Sequence, residues 1–478
     1  MVGFCVLKLI STKHCNLINF LYFRVKALLL INSRMAYAAD LGSPLPEAMP
    51  ALEAVSLLSM PKSAVCKDEL SGRPASFQLR LGTLTFYYST PDTAAQDYAT
   101  LRHIFPLLQQ IREEESAGGN TAERAIRAVK VRHATAALAA ACGRLAAERC
   151  RSGQHATANP AALRYLRALG VLHGEGSVEL VPGLLALAES CLGLGPLRAS
   201  SASEMLFTGT SILATAARTS GGAATHHPLH CRLQLLYGRL ALGQRKLPEA
   251  LEAFSRALFH AAAAGGPEHL ACAPCLYLMG TAFQALGRSQ PALDCAERAT
   301  QVYALHLSGE RPAGAAAVGY HPPPRPAPGS VDAAFAATPP GQGLSAQEHS
   351  EALEALQGIV AAREAAYGGA GLAVAEARWV LARVHAVAGV REACLECIDR
   401  GVVEAFTAAL VSSVGGGSRN SWAVHMGDSL GSLFRARAGT RAPHNTPTHP
   451  HTHFPLLQGG EHARVAEVVS LRKQLLGL

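Results

Sequence analysis

The residues best placed by type and spacing to do chemistry are one Gly-x-Ser-x-Gly string, two Cys-x-x-Cys pairs and a histidine-rich tract. Gly427-Asp428-Ser429-Leu430-Gly431 has the residue types of a nucleophile elbow, in which a serine on a tight strand-to-helix turn is exposed for attack. An elbow needs a strand before it and a helix after it, and this string lies in a Gly- and His-rich stretch that announces neither. A chance match is the favoured reading. Cys272/Cys275 and Cys394/Cys397 each fall in a helix-like apolar stretch with no second pair at zinc-knuckle spacing, so they read as buried thiols. His449, His451 and His453 could take a metal ion adventitiously, but no carboxylate stands by to orient the rings. The chain holds no Walker A string, no Gly-x-Gly-x-x-Gly and no His-Glu-x-x-His. No catalytic residue, cofactor or metal is expected, and the protein is not expected to be an enzyme.

The elements that would have to position chemistry are mostly helical. Of 478 residues, 49% are apolar but only 6% aromatic and 16% charged, which suits small-residue helix packing better than a β-sandwich. Lys and Arg total 43 against 35 Asp and Glu, a net charge of +8. The excess sits in two places: residues 1–39 hold Lys8, Lys13, Arg24, Lys26 and Arg34 with no acid, and residues 413–460 hold Arg419, Arg435, Arg437 and Arg441 against Asp428. The middle is neutral, which argues against nucleic acid as a partner. Leu17–Ile31 is apolar but short and broken by Arg24 and Lys26, so no membrane span is expected. The leader reads either as an organelle-targeting peptide or as an extension upstream of a start at Met35. Twelve cysteines at irregular spacing fit a reducing compartment.

Residues 308–344 contain eight Pro and six Gly, and 413–460 repeat the theme from Gly415-Gly416-Gly417 to the histidine tract. Neither composition supports helix or core. The expected organisation is an atypical leader at 1–59, a small separate segment at 60–115, helical repeats at 121–307, a disordered insertion at 308–344, repeats continued at 345–412, a second disordered insertion at 413–460 and a terminal helix at 461–478. Ser345 followed by Glu348 forms a capping box ahead of the continued repeats.

The repeat itself is carried by small and aromatic residues at fixed spacing. Counting from Cys231, Gly238, Ala250, Phe254 and Ala257 fall at positions 8, 20, 24 and 27. From Ala273, Gly280, Ala292 and Ala299 fall at 8, 20 and 27, with Phe283 at position 11 and Gly287 at the turn. This resembles the tetratricopeptide (TPR) repeat, whose small positions mark where two helices cross closely. Further starts fall at Ala139, Val181 and near residue 374, and an intermediate unit interrupted by the 308–344 insertion has its second helix at His349–Tyr367. The fold class expected is all-α, a TPR-type helical-hairpin superhelix. Such arrays bind along the face made by their first helices, which here gives Arg232, Leu235, Arg239, Tyr277, Thr281, Gln284, Arg378 and His385. Arg232, Arg239, Tyr277, Gln284, Arg378 and His385 are the candidate protein-binding groove, mildly basic and suited to an acidic or amphipathic segment. The competing reading is that these arginines are simply solvated.

The segment before the repeats carries Cys66, Leu70–Ala75, Thr85-Phe86-Tyr87-Tyr88-Ser89, and Asp97-Tyr98 followed by Leu101. It resembles the frame of a MYND zinc finger without its ligands. The ligand positions fall on Arg80, Thr83, Ser89, Thr93, Arg102 and Pro106, with the first pair near Glu69 and Gly72. Cys66 and His103 lie out of register, so no zinc is expected. A plain hairpin followed by a helix at Gln96–Glu115 is the alternative. Together with Gly153-Gln154-His155, Pro160–Leu163, Ser177–Pro182 and Leu187-Ala188-Glu189, the stretch from about 66 to 400 resembles the ciliary family that joins a MYND finger to TPR repeats. That resemblance implies a non-enzymatic scaffold in the cytoplasm and axoneme of cilia or flagella, partnered by other axonemal TPR proteins and inner-arm dynein. An alternative is a cytosolic motor or cargo adaptor resembling kinesin light chain, which should carry an N-terminal heptad coiled coil; none precedes residue 120. A MYND-associated SET methyltransferase is a third reading, but there is no room for a SET domain between the finger and the repeats.

Overall fold

Leu79, Leu81, Phe86 and Tyr88 alternate with polar neighbours, and in the computed structural model they form the apolar face of a small antiparallel sheet. The structure describes residues 45–55, 66–219, 226–309, 343–369 and 371–399, with 332, 338, 401–403, 405, 466–471 and 473–474. The leader before residue 45, nearly all of the 308–344 insertion and the whole of 413–460 lie outside the described residues. What is described divides into two units, each treated by itself: one running to Arg149 and resuming at Gln154–Gly174, the other comprising Cys150–Gly153 and everything from Glu175 onward.

In the first unit, β1 (Glu53–Ala54), β2 (Phe77–Leu81) and β3 (Leu84–Tyr88) lie in that order, with Leu79 opposite Phe86 and a two-residue turn at Gly82-Thr83. Gly82 has φ of 55°, the left-handed conformation that such a turn needs. Helix α1 (Pro91–Ser116) starts at a capping box between Thr90 and Thr93 with Pro91 at its first turn, five residues before the expected Gln96. Ala94, Tyr98, Leu101 and Ile104 recur at helical spacing and bury against the sheet with Leu138 and Cys142 of α2 (Thr121–Arg151). Helix α3 (His155–His173) crosses α2 closely, since a Cβ on Gly143 would sit 3.3 Å from the Tyr165 ring. Two expected boundaries move. Strand β1 and the Tyr98 hydroxyl, which donates to the Pro46 carbonyl at 2.7 Å, bring residues 46–55 into the fold, ahead of residue 60. The first helical stretch assigned to the repeats, 121–149 with 154–174, belongs to the sheet-bearing unit.

The second unit is the array. Its hairpins are α4 (Val181–Gly193) with α5 (Ala199–Thr219), α6 (His227–Gly243) with α7 (Leu247–Gly265), and α8 (Cys272–Ala285) with α9 (Ser289–Ser308). Then α10 (Ala346–Tyr367) packs on α11 (Leu372–Val387), which pairs with α12 (Arg391–Asp399). The repeat positions do their expected work. Gly238 on α6 leaves the notch that the fully buried Phe254 ring of α7 fills, and Gly280 on α8 lets the Ala292 carbonyl approach to 3.2 Å of where a Cβ would be. Helix α10 begins at the Ser345/Glu348 capping box. Residues 466–471 are helical, with Val468 buried among Trp379, Cys394, Ile398 and Val402.

One position in the array is out of character. The turn between the two helices of a hairpin takes positive φ at Gly195 (94°), Gly287 (72°) and Gly389 (74°), but the α6–α7 turn places Arg245 there at 62°. A side chain in that conformation costs about 1 kcal/mol. Arg245→Gly is therefore expected to raise the stability of the array by about that amount, despite the greater freedom glycine gives the unfolded chain. Urea unfolding of the two proteins checks it, and a less stable glycine variant would contradict it.

Candidate protein-binding groove

Helices α4, α6 and α8 are the first helices of three consecutive hairpins, and the residues they present at the groove positions are Glu189, Arg232, Arg239 and Tyr277. Arg232 is the centre. Its Nη2 donates to both oxygens of the Glu189 carboxylate at 2.9 and 3.0 Å, while its Nη1 donates to Glu351 of α10. Arg239 extends the row, pairing with Glu189 at 3.9 Å and with Glu354 of α10 at 3.5 Å. Burial alone would pull the Arg232 guanidinium down, but the two carboxylates outweigh it and hold its pKa above the ordinary arginine value. Tyr277 lies over α10 at Gly358, where a Cβ would come within 2.8 Å of its ring.

The groove is thus filled by the chain's own helix. Glu351, Glu354 and Gly358 are spaced i, i+3 and i+7 and so share one face of α10. On the adjoining face Ala352, Ala355, Leu356 and Ile359 are buried with Cys275, Leu276, Tyr303 and Val380. Two arginines meet three glutamates, so with α10 in place the expected mildly basic groove has acids in excess.

The six candidate residues do not stay together. Arg232, Arg239 and Tyr277 converge on α10. Gln284, on α8, is exposed, and its neighbour Thr281 donates to its own helix at the Leu278 carbonyl, 2.7 Å away. Arg378 on α11 donates to the Gly369 carbonyl at 3.2 Å and to Glu364 at 2.6 Å, bracing the α10–α11 turn. His385 on α11 has its Nδ1 buried without a partner, and burial followed by nearby His349 lowers its pKa. The sequence reading missed Glu189, Glu351, Glu354 and Gly358, although the i, i+3, i+7 spacing on a capped helix was there to be read.

A histidine cluster was also missed. His226, His227 and His230 start α6, and His260 comes from α7. The Nδ1 atoms of His227 and His260 are 3.1 Å apart, His230 stacks on His260 with centroids at 4.8 Å, and His226 Nδ1 lies 2.8 Å from Asp332. Burial, with His230 and His227 nearby, pushes His260 down to about 4. A depressed histidine favours the folded state in its neutral form, so that stability is whole above pH about 6.5 and is lost as pH falls toward 4. Thermal melts at neutral pH and near pH 5 should show the array losing stability across that window; replacing His260 by Phe should flatten the dependence.

In the sheet-bearing unit the polar centre is Asp97. It accepts from the Tyr88 hydroxyl at 2.7 Å and from both Nε (3.1 Å) and Nη2 of Arg164, whose guanidinium also stands 5.4 Å from the Phe86 ring. Arg149 of α2 ties down the same helix, donating to Thr100 Oγ1 at 2.7 Å and to the Ala99 carbonyl at 2.8 Å. Ser89 and Thr93, two of the positions where MYND zinc ligands would fall, contact the Asp68 carboxylate. The same carboxylate accepts from the amides of Leu70 at 2.8 Å and Ser71 at 2.7 Å, so one carboxylate gathers the loop, the strand end and the helix start. Burial would raise its pKa, but Ser89 and the amides of Ser71, Ser89 and Leu70 hold it at about 2. Its stabilisation is present above the unfolded value near 3.8 and disappears as pH falls toward 2. Asp68→Asn is expected to cost about 1–3 kcal/mol at neutral pH, with the gap closing between pH about 4 and 2 when acid unfolding of the two proteins is compared.

Among the described residues, no group of three His, Cys, Asp or Glu side chains is arranged to hold a metal ion, and no helix is long and apolar enough to cross a membrane. Cys272 and Cys275 are core thiols of α8, with Cys272 pushed up to about 12 by burial first and Cys231 second. The array is thus a tetratricopeptide-type helical-hairpin fold. The tetratricopeptide repeat family model matches residues 229–304, which are the hairpins α6–α7 and α8–α9 and carry Arg232, Arg239, Tyr277 and Gln284. Two solved structures of nearly identical TPR-like repeats of a kinesin light chain from Podosopora anserina, one of them carrying a point substitution, are 14% identical. They cover 56% of this chain and 94% and 95% of their own, at a TM-score of 0.29, a superposition too loose to argue from.

Proposed function

We propose that this protein is a non-enzymatic scaffold of the ciliary or flagellar axoneme whose TPR array holds other axonemal proteins, among them TPR proteins and inner-arm dynein components. The observation that carries the binding role is the pair of hairpins at 229–304, which match the TPR family and present polar side chains along their first helices. The axonemal setting rests on the likeness of residues 66–400 to the ciliary MYND/TPR family. In this reading the sheet-bearing unit is a MYND-derived module in which the Asp68 carboxylate replaces a metal as the tie between loop, strand and helix. Cilia from cells expressing the tagged full-length chain provide the test. After detergent extraction it is expected in the axonemal pellet with inner-arm dynein, and a wholly soluble or mitochondrial signal would overturn the assignment. A soluble fraction containing cytoplasmic motors would favour the cargo-adaptor reading instead. Stoichiometric zinc in the purified full-length protein would refute the metal-free finger.

A further inference from the structure

We propose that α10 is a built-in ligand of the groove, and that the partner which displaces it is an amphipathic helix carrying the same face: acids at i and i+3, a glycine or alanine at i+7, and small or aliphatic residues between. This rests on the reading of the groove as the protein-binding surface and names the chemistry it selects.

Three features of α10 support it. The first is where it lies: its glutamates reach groove positions on α6, more than a hundred residues earlier in the chain, and Gly358 meets a groove position on α8. A helix of an ordinary hairpin contacts its own partner and the next hairpin, whereas this one runs across two first helices. The second is how it is joined. The other hairpins follow one another through short turns, but residues 309–345 separate α9 from α10 in the sequence, with His306 of α9 standing 3.1 Å from the Gly343 carbonyl just ahead of α10. The third is the composition of the contact. The surfaces facing the groove are two ion-paired acids and a glycine, and the Arg239–Glu354 pair is open to water, with Glu354 61% exposed. Exposed pairs of this kind contribute little each and exchange readily, whereas the Arg232–Glu351 pair is mostly buried and Ala352, Ala355, Leu356 and Ile359 on the adjoining face are core residues, so a partner has to supply that apolar face as well as the acids. Glu189 divides the two arginines between itself and whatever helix is present, so an incoming acidic helix meets the same half-satisfied guanidinium groups that α10 meets.

The test uses the full-length chain and a fluorescently labelled synthetic peptide of residues 346–367, read by fluorescence anisotropy. In the wild type the groove is occupied and the peptide should bind weakly. Glu351→Lys with Glu354→Lys weakens the internal contact and should tighten peptide binding about tenfold or more; adding Arg239→Glu should abolish the gain. Because the double variant could disturb packing, the water-exposed Glu354→Gln serves as the mild counterpart, with an expected gain of about threefold. Equal affinity in wild type, Glu354→Gln and the double variant, or a gain indifferent to Arg239→Glu, would overturn the proposal. So would a shift of the double variant to dimeric mass in light scattering without peptide uptake, which would make a second copy of the chain the occupant. Retention on axonemes does not depend on the peptide, so a protein that stays in the pellet but fails this test loses the built-in ligand and keeps the scaffold role.

Discussion

Arg164→Met will destabilise the sheet-bearing unit by about 3–5 kcal/mol, the usual cost of removing one partner from a buried ion pair. Asp97 is fully buried, and Arg164 supplies two of the three hydrogen bonds to its carboxylate in the structure. Methionine keeps most of the volume and removes the charge, leaving that carboxylate the Tyr88 hydroxyl. The loss should be confined to this unit. Trp379, buried in the core of the array, reports on the other unit, so its fluorescence transition should stay near the wild-type midpoint while the far-ultraviolet signal acquires an earlier step. Replacing Asp97 by Leu in the same chain removes the stranded charge and should recover a large part of the deficit. If Arg164→Met alone costs less than about 1 kcal/mol, Asp97 is not the keystone of this unit.

The second large effect is expected at the notch between α6 and α7. Phe254 is entirely buried and its ring occupies the space that the absent side chain of Gly238 leaves. Phe254→Ala opens a cavity the neighbouring helices cannot close and should cost about 3–5 kcal/mol. Gly238→Ala approaches the same site from the other side: its methyl group would overlap the ring, and shifting a packed aromatic costs about 1–3 kcal/mol. The two are coupled. Leucine at 254 beside alanine at 238 should be better tolerated than the sum of the single changes, and urea unfolding followed at Trp379 measures this as a double-mutant cycle.

The α6–α9 hairpins could be read from the chain because their determinants are local: small residues every few positions, an aromatic on the facing helix, and a glycine at each turn but one. The α10 helix was equally legible as an element, from its cap at Ser345 to its end at Tyr367. Its destination was not, since periodicity says which face of a helix is buried and nothing about what covers it; the bond from Arg232 to Glu351 spans 119 residues. For the same reason the candidate groove, expected open and basic, gave no sign that Arg232, Arg239 and Tyr277 face α10. In the other unit, the Thr85–Ser89 strand and the Asp97 helix were visible, while Arg164, 67 residues beyond Asp97, carried no local sign of its partner. Two-residue β1 is too short for any alternation to show, and the Thr90/Thr93 cap that starts α1 lacks the acidic residue that would have marked it.

Because α10 is part of the same molecule as its groove, the groove meets it at an effective concentration on the order of millimolar, whatever the amount of protein in the cell. A freely diffusing helix of equal intrinsic affinity would seldom win that contest. A partner that also grips the protein at a second place enjoys the same local advantage and can. The tether therefore acts as a threshold, making the array answer to assembled, multi-point partners and stay closed to isolated peptides that carry the right face.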